Sequence, residues 1–172
     1  MKKFLSIVLV AATAVMIAVF ASGCSLLGNL GKAEKKVFEK AGIKLTLTDE
    51  FYEKDILTYT IYLESTDKAV IALKEEPNAM FPISTELRAY TESVLSVNML
   101  TTPILTSSTE EGVLLFEYFI YEKIVSGKDF TYLAITKKSE TAFYLIQFTC
   151  ETKNFADFKG QFLDWAKLVE VA

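Results

Sequence analysis

Residues 113–125 read Val-Leu-Leu-Phe-Glu-Tyr-Phe-Ile-Tyr-Glu-Lys-Ile-Val, and the middle of this run is apolar at odd and even positions alike. A strand with one solvated face alternates apolar with polar residues, whereas a strand apolar on both faces needs cover above and below. The chain must therefore supply two covering layers, and two helical repeats are available for them. Leu87, Tyr90, Val94 and Val97 recur at helical spacing behind Ser84 or Thr85 as N-cap, in a segment bounded by Pro82 and Pro103. Asn154 opens a second repeat, in which Phe155, Phe158, Phe162, Trp165 and Val169 form one stripe that reads as a core face.

The remaining strands carry a period of two. Ile43, Leu45 and Leu47 alternate with Lys44, Thr46 and Thr48, and Leu57, Tyr59, Ile61 and Leu63 alternate with Thr58, Thr60 and Tyr62. Ala69 to Leu73 follows after a turn at Ser65 to Lys68. These three segments predict an antiparallel meander, because their joins are too short for crossovers. Phe130–Thr136 and Thr141–Cys150 are two more strands, joined by Lys137-Lys138-Ser139-Glu140. Lys32–Lys40 reads as a short amphipathic helix around Val37 and Phe38, closed by Gly42. The expected fold is α+β, an antiparallel sheet flanked by helices on both sides in an α-β-α sandwich.

The amino-terminal segment has a different character. Met1-Lys2-Lys3 is basic, Phe4 to Phe20 is apolar apart from Ser6 and Thr13, and Ala21-Ser22-Gly23 brings small residues before Cys24. These are the parts of a secretory signal. Three fates fit it: a lipoprotein signal, an uncleaved helix of the roughly 20 residues that span a bilayer, and a plain signal followed by an incidental Cys. Ala21-Ser22-Gly23-Cys24 resembles the lipobox of bacterial lipoproteins, with Ala21 where that family usually carries Leu. The resemblance implies a diacylglyceryl group on the Cys24 thiol and cleavage before it. Stable attachment follows from two or more acyl chains, since one chain binds only marginally. The chain then divides into a signal (1–23), a lipidated Cys24 with a tether to residue 31, and one domain over 32–172. This places the domain on the extracytoplasmic side of a cell membrane or envelope.

Composition narrows the chemistry. The chain has no His, which removes the commonest general base and metal ligand, and with them any His-based triad. No motif sets a Ser beside a Lys as an alternative nucleophile pair. Of two Cys, lipidation takes Cys24 and leaves Cys150 unpaired within a strand-like run, where it reads as a small hydrophobe. Asp49, Glu50, Glu53 and Asp55 lack the Gly and the spacing of a calcium loop and read as a solvated acidic turn. Without Lys2 and Lys3 the domain is two charges more acidic than the formal −4 of the whole chain, and its Lys and Arg are scattered. Nucleic acid, which needs a basic stripe, is not an expected partner. Two polar residues sit within apolar runs. Glu117 shares a strand face with Leu115 and Phe119, and Gln147 shares one with Phe143 and Leu145. Unpartnered burial of either would cost about 1–3 kcal/mol, so they face outward, satisfy each other across neighbouring strands, or line a cleft or docking groove.

Ile43-Lys44-Leu45-Thr46-Leu47 leading to Phe51 resembles the opening of PsbP/DcrB-like domains. So do Ala69 to Glu75, the helix around Leu87-Arg88-Ala89-Tyr90, and Phe143 to Phe148 followed by the helix at Phe155 to Trp165. The resemblance covers Gly42 to Val171 and implies the α-β-α sandwich and a non-enzymatic, protein-binding or envelope role. The metal retention linked to PsbP draws on His and acidic residues, and this chain has no His. The expectation is thus a lipid-anchored, non-enzymatic interaction or binding module, with no cofactor and no catalytic or metal-binding residues. Its expected partners are the membrane and an envelope protein. The alternative is an accessory lipoprotein that binds a solute or ion for a transporter. Mass spectrometry of the purified mature protein tests the anchor. The expected amino terminus is acylated Cys24, and an unmodified Met1 or an unlipidated Cys24 overturns it.

Overall fold

In the computed structural model the described residues are 34–172, apart from Asp49, Met80 and Thr102. The signal, Cys24 and the tether lie outside them. Ten strands and two helices follow in order: β1 (Lys35–Lys40), β2 (Ile43–Thr48), β3 (Tyr52–Glu53), β4 (Ile61–Glu64), β5 (Lys68–Glu75), α1 (Leu87–Val97), β6 (Thr106–Glu110), β7 (Val113–Val125), β8 (Lys128–Lys138), β9 (Phe143–Glu151), α2 (Phe155–Lys167) and β10 (Glu170–Val171). Seven of the strands form one antiparallel sheet in the order β3-β4-β5-β9-β8-β7-β6, and β1-β2-β10 form a second sheet.

The long run Val113–Val125 is one strand, as its pattern requires, and β8 and β9 beside it are buried almost throughout. Period two sorts their side chains. Leu63, Val70, Phe148 and Leu133 stand in register on one face, and Tyr62, Ile71, Gln147 and Ala134 stand on the other. α2 covers the first face together with the small sheet. Phe162 is fully buried against Phe148 (ring centroids 5.8 Å) and Trp165 (5.8 Å), and Phe38, Ile43, Leu45 and Leu47 join the same core. α1 covers part of the second face, where Tyr90 stacks on Phe143 at 4.5 Å and Val94 packs nearby. Ile56 and Tyr59, from the segment before β4, cover the remainder with Tyr62, Tyr121 and Tyr132. The α-β-α sandwich is therefore present, with a small sheet built into the α2 layer.

Three expectations are corrected. The segment ending at Lys40 is strand β1 from Lys35 onward, not a helix, and all six of its residues pair with β2. Only Phe38 of this strand is buried, so a single apolar contact plus the β2 ladder outweighs its helical composition. Gly42 is not a helix stop but the second residue of a tight hairpin turn: Ala41 and Gly42 both have positive φ (51° and 81°), as a type I′ turn demands. A Cβ on Gly42 would lie 2.7 Å from the Ala172 carbonyl oxygen, so the position excludes side chains twice over. The second correction concerns the meander. β4 and β5 are neighbours, but β2 belongs to the other sheet, and the chain crosses between the sheets through Phe51, whose ring meets Trp165 edge-on at 5.5 Å. Of the alternating run from Leu57, only Ile61–Glu64 is strand, and Leu57 is 98 % exposed. Third, α1 begins after Glu86 with no side-chain cap, and Ser84 and Thr85 lie in the turn ahead of it.

Phe162→Ala is expected to lower unfolding free energy by about 3–5 kcal/mol, the range for emptying a large aromatic site. Leu57→Ser, at an exposed position, should change it by less than about 0.5 kcal/mol. Urea denaturation of the two variants checks the contrast.

Candidate functional site

α1 meets the large sheet through its Tyr90, Thr91 and Val94 face. Beneath Thr91 lies Thr136 of β8, and the two hydroxyls are 2.6 Å apart in a buried hydrogen bond. The small Ala134 alongside Thr136 lets the helix approach the sheet. β5 runs out past the helix and ends at Glu75, after which Pro77 turns the chain away. Asn78 closes the following loop: its side-chain oxygen accepts the Phe81 amide at 3.1 Å, and its own amide donates to the Phe81 carbonyl at 3.0 Å. The loop thereby swings Phe81 back onto Tyr90, edge to face at 6.2 Å.

Between this loop, the end of β5 and α1 lies a cleft of about 380 Å³. Its walls are Pro77, Phe81, Val94 and Val97, with Asn78, Ser93 and Asn98 at polar positions and Glu75 beside the buried Tyr90. The Tyr90 hydroxyl donates to Glu75 Oε2 at 2.8 Å. Burial pushes the Glu75 carboxyl above the usual carboxylate range, and the Tyr90 hydrogen bond only partly counters it. Burial, and secondarily Glu75, holds the Tyr90 phenol well above its ordinary value, so it remains a donor. Lys74 and Glu76, on either side of Glu75, pair with each other at 3.3 Å. No cation pairs with Glu75 among the described residues.

A second cleft, of about 420 Å³, lies between the small sheet and α2, where Leu47, Phe158, Trp165 and Leu168 line it. Its buried Lys68 is fully engaged, with Asp67 at 2.6 Å, Glu50 at 3.4 Å and the Phe158 ring centroid at 4.2 Å. The Lys68 charge in that cleft is compensated by carboxylates, whereas no cation compensates the Glu75 carboxyl among the described residues.

Glu117 and Gln147 are both buried, and they do not meet. Glu117 stands opposite Thr136, and Gln147 stands opposite Ala134. Ser107 donates to both Glu117 oxygens at 2.9 Å, and Arg88 of α1 lies 3.6 Å away, so this carboxylate ties β6 and α1 to β7. Gln147 accepts the Tyr121 hydroxyl at 2.5 Å. Neither residue lines the two clefts described above. Cys150 is buried, and burial pushes its thiol up to about 11, as suits a packing residue. In the acidic turn Glu50 faces Lys68 and Glu53 pairs with Lys40 at 3.3 Å. Glu75 was the residue missed by sequence reading. Its signal was nonetheless present, since alternation along β5 sets Glu75 on the face of Ile71 and Leu73.

No family pattern and no curated protein sequence matches the chain. Solved structures do. Cyanobacterial PsbP (CyanoP) from Synechocystis superposes with a TM-score of 0.59 at 12 % identity, over 86 % of this chain and 98 % of that one. A protein from Bacteroides thetaiotaomicron gives 0.54 at 11 % identity, over 83 % of this chain and 49 % of that one. The protein is thus an α+β sandwich with the fold of PsbP-like domains. At these identities the likeness concerns architecture alone.

Glu75→Gln is expected to retain the Tyr90 hydrogen bond and remove a half-buried charge. A carboxyl whose pKa is raised by folding opposes stability once pH exceeds its unfolded value, and the opposition fades as acid protonates it. The variant should therefore melt higher than wild type near pH 7, with about 2–4 °C for each kcal/mol relieved. The gap should close below the carboxylate range. Scanning calorimetry from about pH 3, below the unfolded carboxyl value of about 4.3, up to about pH 7 reads both effects.

Proposed function

We propose that this protein is a non-enzymatic binding module, held at the extracytoplasmic surface of a cell membrane by acyl chains on Cys24, and that its ligand enters the cleft beneath α1. The observation that carries the reading is the half-buried carboxyl of Glu75, which no cation pairs among the described residues, in a recess of about 380 Å³ with mixed apolar and polar walls. That volume falls within the roughly 300–1,000 Å³ of small-molecule sites, which are mostly apolar with a few oriented polar groups. A partly desolvated carboxyl with no cationic partner, lining a cleft, points to a site of use rather than of packing. The signal-like segment and the lipobox resemblance support the address. The absence of His from the chain supports a binding role over acid–base chemistry.

The cleft accommodates a compact group, either a single side chain of an envelope protein or a small solute. The solute arm draws on the aromatic lining by Phe81 and Tyr90, and it keeps open an accessory role beside a transporter. A photo-reactive amino acid at Val97, a half-exposed cleft residue, tests the site in the native envelope. Val97 is expected to give a defined adduct. Ile124, exposed near the far end of β7, is expected to give none. Equal labelling at both positions, or none at Val97, would sink the assignment.

A further inference from the structure

We infer that the α1 cleft is a receptor for a primary alkylammonium group on a short apolar stem, presented by a free amine or by the lysine side chain of an envelope protein. The inference rests on the cleft being the binding site proposed above and names the chemistry it selects. Tyr90 holds Glu75 Oε2 from within the protein. Oε1 is left as an acceptor with no partner among the described residues, on a side chain that lines the cleft. Glu75 is half-buried, and the oxygen that Tyr90 leaves free is open to the cleft, where a cationic group can take the place of water on it.

The surrounding charges leave Glu75 decisive. On its own strand and just beyond, Lys74 and Glu76 neutralise each other. From β8, Lys138 donates to the Thr85 carbonyl at 2.9 Å and stands over the Phe143 ring. From α1, Arg88 is turned to Glu92 (3.4 Å) and Glu117 (3.6 Å), and Tyr90 is neutral. The cleft therefore presents one negative charge to an incoming group, which disfavours anions. A guanidinium is matched by both oxygens of a carboxylate, and Tyr90 already occupies one of them. An ammonium needs a single acceptor and suits the oxygen that remains. Its methylene stem meets Pro77, Phe81, Val94 and Val97, as long cationic side chains commonly lie along apolar surface.

The test titrates the full chain in detergent micelles with n-hexylamine, hexan-1-ol, hexanoate and n-pentylguanidine at neutral pH, by calorimetry. Hexylamine should bind at least about tenfold more tightly than hexanol, a difference of about 1.4 kcal/mol. It should also outbind pentylguanidine, and hexanoate should not bind. Glu75→Gln, confirmed folded by its melting curve, should reduce hexylamine to the level of hexanol. Acidification that protonates Glu75 should do the same in wild type while leaving hexanol binding intact. Equal binding of amine and alcohol by wild type, or unchanged amine binding by the variant, overturns the inference. A guanidinium preference overturns the ammonium assignment. Hexylamine should also suppress the Val97 photo-adduct, whose mass separates a lysine-bearing polypeptide from a free amine. An adduct that hexylamine leaves untouched defeats the ammonium reading while the binding site stands. No adduct at all defeats the site.

Discussion

The two-sided burial of β8 and β9 is the constraint from which the other features follow. Leu133, Ile135, Ile146 and Phe148 point to one layer, and Ala134, Thr136, Leu145 and Gln147 to the other. Every one of these residues is buried, so neither face can be left to water. α2 and the small sheet complete the first layer with a continuous aromatic core. The second layer is pieced together from an 11-residue helix and the segment that carries Ile56 and Tyr59. A helix of that length covers about 16 Å, less than the sheet presents. The cleft arises where this cover runs out, at the end of β5, and Phe81 folds back to form its other wall. The site is a consequence of incomplete cover over a sheet that needs cover on both faces.

How legible this was in the sequence depended on whether each element carried a pattern of its own or took its state from a partner. β7 and α2 were readable because their own patterns, apolar on both faces and an aromatic stripe, state what they must be packed against. β1 was misread because Lys35 to Lys40 has no pattern of its own; its strand state comes from the β2 ladder and from the turn at Ala41-Gly42. β6 carries Thr-Ser-Ser-Thr-Glu, an edge strand whose order comes from pairing with β7 and from the Ser107 hydrogen bonds to Glu117. β2 was placed in the wrong sheet because short joins suggest neighbouring strands, and nothing local shows that Phe51 is drawn across to Trp165. For β1 and β6 the deciding interaction is with the adjacent hairpin strand, outside the segment's own pattern, and for β2 it is remote in sequence.

The polar residues on the α1 face separate by the same logic. Glu117 and Gln147 stood out because apolar residues surround them, and the structure supplies each with partners: Ser107 and Arg88 for one, Tyr121 for the other. Glu117 thereby fixes how α1 and β6 sit on the sheet, and Gln147 links β9 to Tyr121 of β7. Glu75 was overlooked because it sits between Lys74 and Glu76, in what reads as a solvated strand end. Alternation alone distinguishes it, turning it inward while Lys74 and Glu76 pair with each other. Of the three, the residue least conspicuous in sequence is the one left half-satisfied. Half-satisfaction beside a cavity is what a ligand can complete.

Under the lipid-anchor proposal, the position of the cleft acquires a direction. Ser25 to Glu34 spans at most about 35 Å when fully extended, and the chain then enters β1 at the edge of the small sheet. That sheet belongs to the α2 layer, whereas the cleft opens on the α1 layer, across the large sheet. A leash entering on one face leaves the opposite face free of the anchor itself. A cationic group can then reach Glu75 without passing the point of attachment. The excess of Asp and Glu over Lys and Arg acts in the same sense, since a basic surface would draw the domain onto anionic headgroups. An acidic domain gains no such attraction, and on this proposal the half-buried Glu75 carboxyl faces what arrives from the other side.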